Sequence, residues 1–194
     1  DWSSDVCSSD LRAPKVCKEY ELIGGKSPIG YWTEIQRKQL ADSLNQQGVE
    51  TKVFTAMRYW HPLTQEVTKE IAKVEPDEII LLPLYPHFSI STTGSSFNEW
   101  KRYYRGDESK LRYINSYYDN EIYLRAVNER IEEGLNKFSS ELRERVVLVF
   151  SAHGTPQSYV KKGDPYLKHI EATVRGIMEI RGDANKHRLC FQSK

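Results

Sequence analysis

Residues 146–156 read VVLVFSAHGTP, an apolar run that gives way to small residues, a histidine, a glycine and a proline. A run this short and this apolar is what a strand buried on both faces of a parallel sheet requires. A second run, EIILLPLY at 78–85, reads the same way; Pro83 removes a ladder donor near its end, so it is expected to be a central strand ending in a kink. Around these two runs, helix-period segments alternate with strand-like ones, the pattern of a parallel sheet covered by helices. The fold class is α/β.

Upstream, Ser27 and Pro28 start a helix that carries Trp32, Ile35, Leu40 and Leu44 roughly on one side, and Gly48 suits its end. Residues 49–57 then alternate as a strand. After Pro62, the positions Leu63, Val67, Ile71 and Val74 form one helical stripe. Downstream of the Ser/Thr/Gly-rich segment 89–96, a helix carries Phe97, Trp100 and Tyr104, and a short strand covers 111–116. The longest helix is expected between 120 and 138, where Tyr123, Val127, Ile131 and Leu135 recur every four residues. A loop over 153–165 leads to a helix with Leu167, Ile170, Val174 and Ile177, and the stretch 188–193 opens a last strand with no successor. The polar segment 139–144 divides a first domain, 13–140, from the start of a second, 141–194. Residues 1–12, opening DWSSDVCSSDL, have neither period nor the basic and apolar regions of a signal peptide, and are read as a non-native junction.

Composition narrows the classes. The 194 residues carry 28 Lys plus Arg against 27 Asp plus Glu, so a net charge of +1 offers no global field for nucleic acid. The 39% hydrophobic content is that of a globular protein. No apolar run approaches the roughly 20 residues of a transmembrane helix. The three cysteines, Cys7, Cys17 and Cys190, have no metal-ligand spacing and are too few for a disulfide framework, so a reducing cytoplasm is expected.

Ligands of open α/β sheets bind beyond the carboxyl ends of the strands, which directs attention to three places: 58–62 (RYWHP), 85–96 (YPHFSISTTGSS) and 151–156 (SAHGTP). His153 stands at a strand tip with backbone room at Gly154, suited to proton transfer or metal binding; the alternative is a histidine that only caps a turn. The STTGSS segment offers hydroxyls and N–H groups at a helix start that can hold a carboxylate or phosphate, or serve simply as a helix cap. Arg58 can pair with an anion, and Tyr59, Tyr85 and Phe88 can lie on a flat apolar ligand or form rim packing. His61 and His87, beside prolines, are read as structural, and His169 and His187 carry no assigned role.

The string Ser151-Ala152-His153-Gly154-Thr155-Pro156, followed by Gly163-Asp164-Pro165-Tyr166, resembles the signature of the ferrochelatase family. It is joined in order by Gly24-Gly25-Lys26-Ser27-Pro28-Ile29, Met57-Arg58-Tyr59-Trp60-His61-Pro62, LYPHFSISTTGSS at 84–96 and Phe191-Gln192-Ser193-Lys194. The resemblance implies two similar Rossmann-like halves, the second truncated, with a porphyrin held between them and Fe2+ as the second substrate. It implies that His153 binds the metal or takes protons from the pyrrole nitrogens. By the same resemblance, Tyr20 and Ser27 contact the propionate side, Ser89, Ser91 and Thr92 line the cleft, and Arg58 and Tyr59 lie on the opposite side from His153. The family's first strand would fall where the junction stands, and its partner glutamate would lie beyond Lys194. An inactive fragment of an active parent is therefore expected. No tightly bound cofactor is expected; an iron–sulfur cluster, membrane association and the oligomeric state of the parent are left open. The STTGSS form looks more like protoporphyrin users than coproporphyrin users. Rival readings are a cobalt or nickel chelatase, a non-catalytic porphyrin or haem carrier, and a phosphate-binding transferase using STTGSS.

Overall fold

The computed structural model describes residues 13–182 and 184–192. The junction expected over 1–12, with Cys7, lies outside the described residues. The chain forms two compact units, one ending at Leu63 and the other beginning at Thr64.

In the first unit, residues 13–21 are helical, and the chain then turns through Gly24 and Gly25, both at positive φ. The carbonyl of Tyr20 accepts from the amides of Ile23 and Gly25, at 3.0 and 2.8 Å, which closes that turn. Pro28 precedes helix α1 (Ile29–Gln46), and Gly48, at φ +75°, ends it by letting the Val49 amide reach back to the Leu44 carbonyl at 3.0 Å. Of the stripe expected on α1, Ile35 and Leu44 are half-buried while Trp32 and Leu40 are exposed, and Glu34, Arg37 and Ala41 share the half-buried side. The reason is a polar anchor: Arg37 is gripped by Glu34 and donates to the Val53 carbonyl at 3.2 Å. Residues 51–57 do alternate in burial, but the strand expected there forms no ladder. Its one pairing is a bridge from Met57 to Leu63, because no partner strand runs beside it among the described residues.

The second unit is two successive parallel strand–helix–strand units. Helix α2 (Thr64–Ala72) buries Val67 and Ile71, two members of the expected stripe, while Val74 falls past its end. Strand β1 (Ile79–Leu81) leads through a π-turn, Ile90–Gly94, directly into α3 (Ser95–Tyr103), and β2 (Leu111–Tyr113) returns parallel to β1 with Ile79 opposite Leu111. Val67, Ile71, Ile79, Trp100 and Leu111 pack into one core. Next come α4 (Glu121–Leu135), capped by the Asn120 side chain, and the short α5 (Ser140–Arg143). Strand β3 (Leu148–His153), helices α6 (Gln157–Lys161) and α7 (Tyr166–Arg181), and strand β4 (His187–Gln192) complete the unit, with β3 and β4 parallel from Leu148↔His187 to His153↔Gln192.

Both apolar runs are strands, yet neither is buried on both faces as expected. Ile80 is 58% exposed, and β3 alternates in burial along its length, because each sheet has two strands and covers one face. The 78–85 strand is also shorter than its apolar run, the ladder stopping before Pro83. Among the described helices, α4, with 15 residues, is not the longest; α1 has 18 and α7 has 16. No described helix is long and apolar enough to cross a membrane.

Helices α4 and α7 pack closely where Gly176 faces Leu124; a Cβ there would sit 2.7 Å from a Leu124 methyl. Beyond that contact the Arg181 guanidinium, its side chain 4% exposed, donates to Glu132 at 2.6 Å, Asn128 at 2.8 Å and Asn185 at 2.7 Å. Asn185 in turn donates to the carbonyls of Arg143 and Val146, just ahead of β3. Arg181→Ala therefore leaves three acceptors without their shared donor and is expected to lower stability by roughly 1–3 kcal/mol, read by urea unfolding of the full-length protein.

Candidate active site

His153 is the last residue of β3 and is exposed, while Ala152 before it is buried. The Gly154 amide donates to the Gln192 carbonyl at 2.7 Å, so the ladder holds the strand to its tip. The chain then runs through α6 to Gly163, whose φ of +83° places it in the left-handed region glycine favours, and delivers Asp164 at the start of α7.

Asp164 gathers the site. Its carboxylate is buried, and Oδ2 accepts from the Ser89 hydroxyl at 2.8 Å and the Ile90 amide at 2.9 Å, while Oδ1 accepts from the Tyr166 amide at 2.9 Å. Ser89 is 1% exposed, and its oxygen also accepts from the Ser91 amide at 3.3 Å. Its one proton is thus directed to Asp164. Ser91 is exposed, Thr92 is half-buried, and Thr93 is fully buried with no hydrogen-bond partner for its hydroxyl.

Two histidines pin the same turn from behind. Thr173 on α7 gives its hydroxyl proton to the Tyr118 carbonyl at 2.7 Å, so the 2.9 Å contact with His87 must be donated by His87 Nε2. His169, also on α7, accepts the Phe88 amide on Nδ1 at 3.2 Å and stacks on Tyr118 with ring centroids 3.8 Å apart. Burial, and after it the neighbouring His169, lowers the His87 pKa from 6.5 to about 4. Burial lowers His169 as well, against the opposing pull of Asp119 and Asp164. Burial pushes the Tyr166 phenol up, and a hydrogen bond to the His153 backbone works against that push.

Of the residues singled out from sequence, His153, Ser89, Ser91 and Thr92 lie in the second unit. Tyr20, Ser27, Arg58 and Tyr59 lie in the first. There, the Ser27 hydroxyl accepts the Ile29 amide at the start of α1, at 3.3 Å, and Tyr20 closes the glycine turn with its carbonyl. The Arg58 guanidinium lies over the Tyr59 ring at 4.7 Å, and Tyr59 is exposed just ahead of the cis His61–Pro62 bond. Sequence reasoning missed the work of Asp164, Thr173 and His169. Asp164 carried one signal, an acidic residue after a glycine at a helix start; nothing local marks Thr173 or His169.

The described residues thus form a parallel α/β fold of the chelatase-like kind, with an exposed histidine at one strand tip and a hydroxyl-rich turn held by a buried carboxylate. The comparisons make this specific: the ferrochelatase family model matches residues 5–194, and the chain belongs to that family. It is 49% identical over 185 residues to the ferrochelatase of Geotalea daltonii, covering 94% of this chain and 56% of that one. It is 44% identical over 191 residues to the ferrochelatase of Picosynechococcus, covering 96% of this chain and 49% of that one. Against the Gloeobacter violaceus ferrochelatase, identity is 42%, over 96% of this chain and 58% of the relative. The chain spans about half the length of the curated relatives it matches.

The neutral His87 has a consequence for stability. The fold holds the ring uncharged while the unfolded chain protonates it near the ordinary value, so this contribution is fully present above pH 6.5 and is lost as the pH falls toward about 4. His87→Gln keeps a donor for Thr173 and removes the titration. The stability of the full-length variant, followed by denaturation between pH 7 and 4, is expected to fall less steeply than that of the parent.

Proposed function

We propose that the full-length protein inserts Fe2+ into a porphyrin to make haem, with protoporphyrin IX preferred to coproporphyrin III, and that His153 is its central catalytic residue. The observation that carries this reading is the exposed imidazole at the carboxyl end of β3, in a chain of the ferrochelatase family. A free-base porphyrin is flat, carries two inner N–H protons and hides its lone pairs in the ring plane. Insertion must therefore bend the ring, remove both protons and strip water from the iron.

A neutral imidazole accepts a proton near neutral pH and also ligates a borderline cation such as Fe2+, so one side chain at the ring centre serves either step. His153 supplies that group, together with a carboxylate from outside this chain. Ser91 and Thr92 line the cleft with the buried Ser89 behind them, and Tyr20 and Ser27 face the propionates. Arg58 and Tyr59 take the opposite side of the macrocycle, where a guanidinium already stacked on an aromatic ring suits a flat anionic ligand. The second half of the enzyme begins at about residue 141, within the unit in which α4 and α7 pack together. The proposed setting is the cytoplasm, whose reducing poise suits the free thiols of Cys17 and Cys190.

His153→Ala in the full-length protein is expected to lower iron insertion by about 10²-fold or more while leaving porphyrin binding, read from the Soret band, within a few-fold of the parent. Unchanged insertion removes His153 from the mechanism. Competition among Fe2+, Co2+ and Ni2+ in the same assay separates iron insertion from a cobalt or nickel chelatase. The 194-residue chain alone is expected to insert no iron.

A further inference from the structure

We infer that His169 is a positioning residue for the 88–94 turn, and that it holds the turn only while its Nδ1 carries no proton. The polarity of the hydrogen bonds carries this reading. A backbone amide can only donate, so the Phe88 amide at 3.2 Å requires a lone pair on Nδ1 of His169. Protonation of that ring turns the acceptor into a second donor, and the contact becomes N–H against N–H. His87 is in the opposite situation. Thr173 gives its proton to the Tyr118 carbonyl at 2.7 Å, so His87 Nε2 donates at 2.9 Å, a bond open to the neutral and the charged ring alike. Of the two histidines behind the turn, His169 is the one whose bond acid must break.

Phe88 passes that hold on to the rest of the turn. Its ring lies beside Gly94, where an added Cβ would be 3.6 Å from the ring's Cζ, and the amides of Thr92 and Gly94 both donate to the Ser89 carbonyl, at 3.2 and 3.0 Å. The residue that His169 grips is therefore joined to both ends of the segment that carries Ser91 and Thr92. The imidazole itself is seated independently of its charge. It stacks on Tyr118 with centroids 3.8 Å and planes 15° apart, and an aromatic face accepts a neutral or a cationic ring. Proton uptake thus acts on the Phe88 amide rather than on the seat of the ring.

The surrounding groups set where the change falls. His87 faces the ring from the turn, Tyr118 and Asp119 from the segment after β2, and Asp164 from the start of α7, while Tyr123 on α4 meets His87 instead. Burial lowers the pKa of His169 below the ordinary 6.5, and the carboxylates of Asp119 and Asp164 oppose that shift. The hold is therefore complete above pH 6.5 and is lost as the pH falls through the lowered value. Asp164 accepts the Ile90 amide at 2.9 Å without help from His169, so that amide is the internal reference.

The consequence for substrate rests on the porphyrin reading, in which Ser91 and Thr92 line the cleft. The test follows amide exchange by NMR in the full-length protein between about pH 8 and 5, corrected for the intrinsic rate at each pH, in the parent, His169→Asn and His169→Ala. The Phe88 amide of the parent is expected to lose about tenfold in protection across this range, at the midpoint of the His169 ring titration, while Ile90 is unchanged. H169N keeps an acceptor that does not titrate and is expected to hold Phe88 at every pH; H169A is expected to leave it fast at every pH. Porphyrin affinity is read from the Soret band as the ratio of H169N to parent, in which the porphyrin's own titration cancels, and this ratio is expected to rise severalfold with acid. If H169A does not fold, the parent and H169N carry the test. Phe88 protection that ignores pH in the parent, or that falls with acid in H169N, overturns the inference. A level affinity ratio beside a responsive Phe88 amide overturns its link to substrate. A parent that binds no porphyrin overturns the porphyrin reading instead, and the exchange result then decides the positioning role by itself.

Discussion

Parallel strands cannot be joined by a tight turn; each pair needs a crossover long enough to carry the chain back to the same end of the sheet. The second unit meets that requirement twice. Between β1 and β2 the return is made by the π-turn and α3, and between β3 and β4 by α6 and α7. Since both strands of a pair run the same way, the segments that leave β1 and β3 emerge at carboxyl ends. These two segments carry the 89–94 turn and His153.

Holding two such loops together is a polar problem, because both are rich in backbone groups that no ladder satisfies. Asp164 answers it from the middle with one carboxylate, and His169 and the His87–Thr173 pair answer it from behind. His169 accepts a backbone amide on a ring nitrogen that must carry no proton, and burial favours that uncharged form, while His87 donates to a hydroxyl. The turn that offers Ser91 and Thr92 to solvent is thus fastened by groups that are themselves withdrawn from it.

Identity near one half to two fifths with ferrochelatases extends over nearly the whole chain. Within it, β3 ends in an exposed imidazole, and a hydroxyl-rich turn is held by a buried carboxylate.

The alternation of strands and helices, the parallel α/β class, the place of His153 and the resemblance to a chelatase were all legible in the sequence, because apolar period and strand-end residues are local properties. The helix through Val67 and Ile71 and the one through Ile170, Val174 and Ile177 lie where their stripes put them. Only the tertiary structure decided which faces of the strands are covered, since that depends on how many strands pair: runs apolar enough for a central strand became half-exposed members of two-stranded sheets. Residues 49–57 have a strand's alternation, but a ladder needs a neighbour, and no local pattern can supply one. The partnership of Ser89 with Asp164 was hidden for the same reason, as a hydrogen bond between residues 75 positions apart is a property of the fold and leaves no period in the chain.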